Sequence, residues 1–150
     1  MKVKDIMAKD VKIIPPDMSA KDALDLLFTM KISGLPVIGE QDKLLGMFTE
    51  KDILRALLPS YLHQVGSFVY TQQPKGIKNK VAELVNIKVK DIMRKEVVTL
   101  DEDVSLYEAA RVIMTRGARR LPVLNKAGKV VGMLARQDVI KALIESEVKL

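Results

Sequence analysis

A hydroxyl and a carboxylate stand three residues apart in GMFTEKD, where Thr49 precedes Asp52. The stretch returns as GMLARQD, Gly132 to Asp138, with the glycine, methionine and final aspartate kept and alanine in place of the threonine. Thr49 sits where an apolar β-type run meets a helix-compatible one. The first amides of such a helix have no partner inside it and carry partial positive charge, which suits a phosphate. Asp52, one turn in, can accept two hydrogen bonds from the vicinal diol of a ribose, whatever the base. Lys51 beside it can screen a phosphate. The same residues also read as helix-end chemistry alone, with Thr49 a plain N-cap and Asp52 an acid that complements the dipole. Gly46 either lets the backbone pass close to a bound group or lets the strand pack tightly.

Other site chemistries find little material. There is no cysteine, so disulfides, zinc thiolates and cysteine nucleophiles are excluded. A single histidine, His63, supports neither a multi-histidine metal site nor an ordinary nucleophile–histidine pair. No general base with a partner is visible among the scattered acids, so the expectation is no catalysis, no metal and no resident cofactor. The net charge of +6 favours an anionic partner, but the lysines run along the whole chain, as a solvated surface would have them. The charged start MKVKDIMAKD lacks the apolar core of a signal peptide, and no apolar run reaches membrane-spanning length. A cytoplasmic protein with no membrane partner is expected.

The elements that must position Thr49 and Asp52 occur twice. KVKDIM at Lys2–Met7 recurs unchanged at Lys88–Met93, and from that anchor Lys2–Leu58 aligns with Lys88–Ile144 without a gap. In each copy a short β-type run (VKII, VVTL) leads into a helix. Ser19 with Asp22, and Ser105 with Glu108, form its capping signals. Ala23, Leu24, Leu27 and Met30 make one apolar stripe, matched by Ala109, Ala110, Ile113 and Met114. LPV, a polar turn and a second strand follow, then a closing helix, Glu50–Leu58 or Arg136–Ile144. Gly128 in NKAGK is placed for positive φ. The order is β-α-β-β-α, and one copy alone cannot bury both faces. The methionines fall at apolar positions and read as core filling. Residues 1–58 form the first repeat, 59–86 a linker and 87–150 the second repeat. The linker carries Tyr61, Phe68 and Tyr70 beside His63, and Ile77–Val85 is compatible with a short helix.

The duplicated unit, with LPV before the hairpin and G-h-h-T-x-x-D entering the last helix, resembles the CBS domain, whose tandem pairs are called Bateman modules. The resemblance covers nearly everything but the linker. It implies an α+β fold of two pseudo-symmetric repeats packed sheet to sheet, and a regulatory role in binding an adenosyl ligand such as AMP, ATP or S-adenosylmethionine. It further implies that each ligand meets the T-x-x-D end of one repeat together with the first strand and the residues before LPV of the other. A primary nucleotide cleft would then combine Thr49, Lys51 and Asp52 with Thr99, Arg119, Arg120 and Leu121. A secondary, weaker one would combine Arg136 and Asp138 with Ile13, Ile14, Ser33, Gly34 and Leu35. Two arginines that can grip phosphate belong to the first set, so AMP or ATP is expected there.

Three functional classes remain in play. The leading one is a ligand sensor that shifts between arrangements of different affinity and signals to a regulated protein in trans. The alternative is a structural module whose sites have degenerated to capping. Nucleic-acid binding has the least support, because aromatic residues and basic residues are not interleaved. A homodimer is expected, because Ile53–Leu58 and Val139–Ile144 carry more apolar residues than one internal face would use.

Overall fold

The computed structural model describes residues 1–58 and 76–148, so the linker aromatics Tyr61, Phe68 and Tyr70 and His63 lie outside the described residues. The architecture is α+β. In chain order the helices are α1 (Val3–Ile6), α2 (Ala20–Met30), α3 (Glu50–Leu57), α4 (Ile77–Glu83), α5 (Val89–Ile92), α6 (Leu106–Arg116) and α7 (Arg136–Val148). The strands are β1 (Gly34–Ile38), β2 (Leu44–Thr49), β3 (Leu100–Asp101), β4 (Arg120–Leu124) and β5 (Val130–Ala135). The helices start where the capping residues place them. Ser19 Oγ accepts from Asp22 N–H and Ser105 Oγ from Glu108 N–H, each at 3.1 Å.

The units of packing differ from the units of repetition. One compact unit comprises Ile13–Gly39 and Leu45–Lys95, the other Met1–Lys12, Glu40–Leu44 and Glu96–Leu150. Each KVKDIM segment is therefore built into the body of the other copy. In the second-repeat unit, Val3 N–H donates to Val104 O at 2.9 Å, Ala8 and Met133 exchange both backbone bonds at 2.9 Å, and Val3 is buried with Leu106, Leu121 and Leu134. In the first-repeat unit, Val89 N–H donates to Met18 O, Met47 and Arg94 exchange both bonds at 2.9 Å, and Val89 is buried with Leu27, Leu35 and Phe48.

These segments also explain two conserved steps of the repeat. A Cβ at Gly46 would stand 2.5 Å from the carbonyl oxygen of Arg94 and 2.9 Å from Met93 Sδ. At Gly132 it would stand 2.9 Å from Ala8 O and would overlap Met7 Sδ. Gly46 thus serves tight packing of a strand against the KVKDIM of the other copy.

The sheets match the expected order with one difference. In the second-repeat unit β3 runs parallel to β4 (Leu100↔Val123) and β4 antiparallel to β5. In the first-repeat unit β1 and β2 pair, but VKII contributes only a single parallel bridge, Ile14 to Val37. The reason is proline. Glu102 N–H extends the second ladder by donating to Leu124 O at 2.9 Å, and the corresponding residue of the first copy, Pro16, has no N–H to give. Gly128 takes φ +81° in the second hairpin, with Asn125 Oδ1 accepting from Ala127 and Lys129 N–H at 3.0 Å.

The methionines divide. Met47 and Met133 are buried and Met7 and Met93 pack against the cores, as expected. Met30 and Met114 do not: Met114 is 81% exposed and Met30 41%. Each is the last member of its apolar stripe and sits in the final turn of its helix, where the stripe is no longer covered.

Candidate functional site

Thr49 ends β2 and is the N-cap of α3, with φ −134°. This places its backbone N–H one turn from the Asp52 carboxylate, and Asp52 Oδ2 accepts that N–H at 2.8 Å and the Thr49 hydroxyl at 3.3 Å. The other oxygen, Oδ1, is paired with Arg55 Nη2. Asp52 is 1% exposed and is the one buried charged residue among those described, so its charge is kept in place by these three donors. Ala135 and Asp138 reproduce the first of these bonds, Ala135 N–H to Oδ2, at 2.8 Å. They reproduce neither of the others. Alanine has no hydroxyl, and Lys141, which occupies the place of Arg55, makes no ion pair with Asp138. Asp138 is only half-buried.

The residues before LPV join each helix start through the backbone. Glu50 N–H donates to Ser33 O at 3.1 Å and Arg136 N–H to Arg119 O at 2.9 Å. Within the first-repeat unit this gathers Ser33, Gly34, Thr49 and Asp52; within the second it gathers Arg119, Arg120, Arg136 and Asp138. A Cβ at Gly34 would lie 3.0 Å from Thr49 Cγ2, whereas Arg120 faces Ala135 across β4 and β5. The threonine-to-alanine change therefore accompanies a glycine-to-arginine change at its neighbour.

The remaining candidates are placed as follows. Lys51 and Ile13 are exposed and Thr99 is half-buried. Ile14, Leu35 and Leu121 have their side chains sealed in the two cores, and the backbone N–H and C=O of Ile14 are taken by Pro36 O and Ile38 N–H. Arg119 and Arg136 are exposed and Arg120 half-buried, and none of the three forms an ion pair among the described residues. Arg55 went unread in the sequence, although its spacing from Asp52 is the i,i+3 distance at which helix side chains meet.

A duplicated α+β unit that twice holds an aspartate over the N-terminal turn of its closing helix defines a paired-repeat module. The CBS domain model matches residues 3–59 and 89–145. A protein of Methanocaldococcus jannaschii, MJ1426, is 30% identical over 155 residues, covering 96% of this chain and 92% of that one. The inosine-5'-monophosphate dehydrogenase of the same archaeon is 30% identical over 140 residues, but the chain spans only 23% of the enzyme's length. Among solved structures, CBSX2 from Arabidopsis thaliana superposes with a TM-score of 0.76 at 27% identity, covering 98% of this chain and 96% of that one. CBSX2 in complex with AMP gives 0.73 at 26% identity, with 97% and 98% covered. The chain belongs to the CBS-domain family, as a tandem pair. CBSX2 of Arabidopsis thaliana is chloroplastic. No helix among the described residues is long and apolar enough to cross a membrane.

Proposed function

We propose that this chain is a regulatory module that binds an adenine nucleotide, reading its ribose through the helix-start aspartates and its phosphates through arginine. The observation that carries this reading is the repeated placement of Asp52 and Asp138, each fixed by a strand-end N–H at 2.8 Å and each one turn into a helix. A carboxylate oriented from behind in this way can offer further lone pairs to a diol. The guanidiniums of Arg119, Arg120 and Arg136, without an ion pair among the described residues, lie at the same end of the second-repeat unit and would supply the charge that a phosphate needs. The AMP complex of CBSX2 supports the class of ligand. Thr49 and Lys51 add polar groups beside Asp52, and S-adenosylmethionine shares the ribose that the aspartates would read. Occupancy would pass to a regulated protein in trans, with the module acting as a homodimer. Leu54 on α3 and Ile140 and Ile144 on α7 leave more than half of their surface open for a second copy.

Isothermal titration calorimetry with AMP, ADP, ATP and S-adenosylmethionine tests the reading. At least one is expected to bind wild type with micromolar affinity and to bind Asp138→Asn or Asp52→Asn at least tenfold more weakly. Indifference of wild type to all four would end the sensor reading and leave the structural module.

A further inference from the structure

The two aspartates differ in what is left of their hydrogen-bonding capacity. An ionised carboxylate has about four lone-pair positions. Asp52 gives two on Oδ2 to Thr49, through its N–H and its hydroxyl, and one on Oδ1 to Arg55. One position remains, on a residue 1% exposed, and a vicinal diol needs two. Among the described residues Asp138 gives a single position, to Ala135 N–H, and it is half-buried. Its counterpart of Arg55, Lys141, stands exposed without an ion pair among the described residues.

We propose that Arg55 is a built-in competitor for the Asp52 carboxylate, so that a ribose binds there only by displacing it, while Asp138 accepts a diol as it stands. This rests on the nucleotide-binding reading above, and it reverses the ranking of the two sites that Thr49 and the arginines imply from sequence. Arg55 is half exposed and sits on one turn of helix, so it can swing into solvent without unfolding α3. The competitor makes the Asp52 site weaker than its own geometry would allow, and it links ligand entry to a released cationic side chain on the closing helix. Arg55 is in this sense an affinity-determining residue for the ligand, acting through Asp52.

The test is calorimetry of AMP and of 2′-deoxy-AMP on full-length wild type, Arg55→Gln, Asp52→Asn, Asp138→Asn and the double variant Arg55→Gln/Asp52→Asn. Arg55→Gln is expected to tighten AMP at the weaker site by about fivefold, the factor that about 1 kcal/mol for a half-exposed ion pair represents. The gain should vanish in the double variant and with 2′-deoxy-AMP, which a merely structural role of Arg55 would not produce. Asp138→Asn should remove the tighter site. Arg55→Lys, the residue the second copy carries, repeats the experiment should Arg55→Gln fold poorly. If AMP binds wild type and Arg55→Gln equally, or binds the variant more weakly, the competitor is refuted while nucleotide binding stands. If no variant binds any adenosyl nucleotide, the functional reading fails and the inference falls with it.

Discussion

Gly34 and Thr49 occupy each other's space: a Cβ on the glycine would lie 3.0 Å from the threonine Cγ2 and 3.2 Å from Phe48 O. In the second copy the same two positions hold Arg120 and Ala135, paired across β4 and β5. Small faces large in both, with the sizes exchanged. The alanine of GMLARQD thus stands in register with the larger residue, as the glycine of the first copy stands against the threonine of GMFTEKD.

Gly34→Ala should accordingly destabilise the protein by about 1–2 kcal/mol, the usual range for a modest overpacking. Thr49→Ala in the same chain should recover most of that loss, since it removes the methyl that the new Cβ meets. Urea denaturation of the two single variants and the double variant measures the coupling; simple additivity would contradict the exchange.

The glycines under the KVKDIM segments predict a larger effect. Gly46→Ala would drive a Cβ into the Arg94 carbonyl, which is backbone and cannot rotate away. A loss of about 2–3 kcal/mol is expected, with faster hydrogen exchange at the Met47 and Arg94 amides that now bond each other. Gly132→Ala should be milder, because the backbone oxygen there, Ala8 O, is met at 2.9 Å rather than 2.5 Å and the nearer atoms belong to the flexible side chain of Met7.

Both KVKDIM segments carry a lysine pair that straddles an aspartate. Lys90 and Lys88 lie 3.0 and 3.6 Å from Asp17, and Lys4 and Lys2 lie 3.0 and 3.8 Å from Asp103. The bond from Lys90 holds the Asp17 carboxyl below its ordinary range, and that from Lys4 does the same for Asp103, while Lys4 itself is raised. A depressed carboxyl contributes stability above its unfolded pKa, and that contribution is lost as pH falls through the folded value. A raised lysine contributes below its unfolded pKa and loses the contribution as pH rises through the folded one. Melting temperature should thus fall on the acid side, less steeply in Asp17→Asn and Asp103→Asn, and the difference should shrink in high salt because these pairs are exposed.

Arg119→Ala and Arg120→Ala should weaken ATP about tenfold each while leaving adenosine unchanged, as expected for one charge-assisted phosphate contact apiece. Equal losses for ATP and adenosine would place these arginines in support of the fold.

Local chemistry was readable in the linear chain and long-range neighbours were not. Ser19 and Ser105 were recognisable as caps, and Gly128 as a turn residue, because each acts on atoms within four residues of itself. Arg55 was readable in principle by the same rule, being three residues from Asp52. The swapped seating of Val3 and Val89 was not, because the two copies of KVKDIM are identical and either body could accept either one. Nor was the exposure of Met114, since an apolar side chain at helical spacing says nothing about where the facing layer ends.

From the sequence alone came the duplication, the α+β order of each copy, the capping of its helices and the candidacy of Thr49, Asp52, Asp138 and the arginines. All of these follow from periodicity and short-range hydrogen bonding, which depend on residue type and spacing. Only the tertiary structure decided which body each KVKDIM segment completes and that Gly34 stands against Thr49. Those depend on which side chains share a volume, and shared volume is settled by packing between segments far apart in the chain.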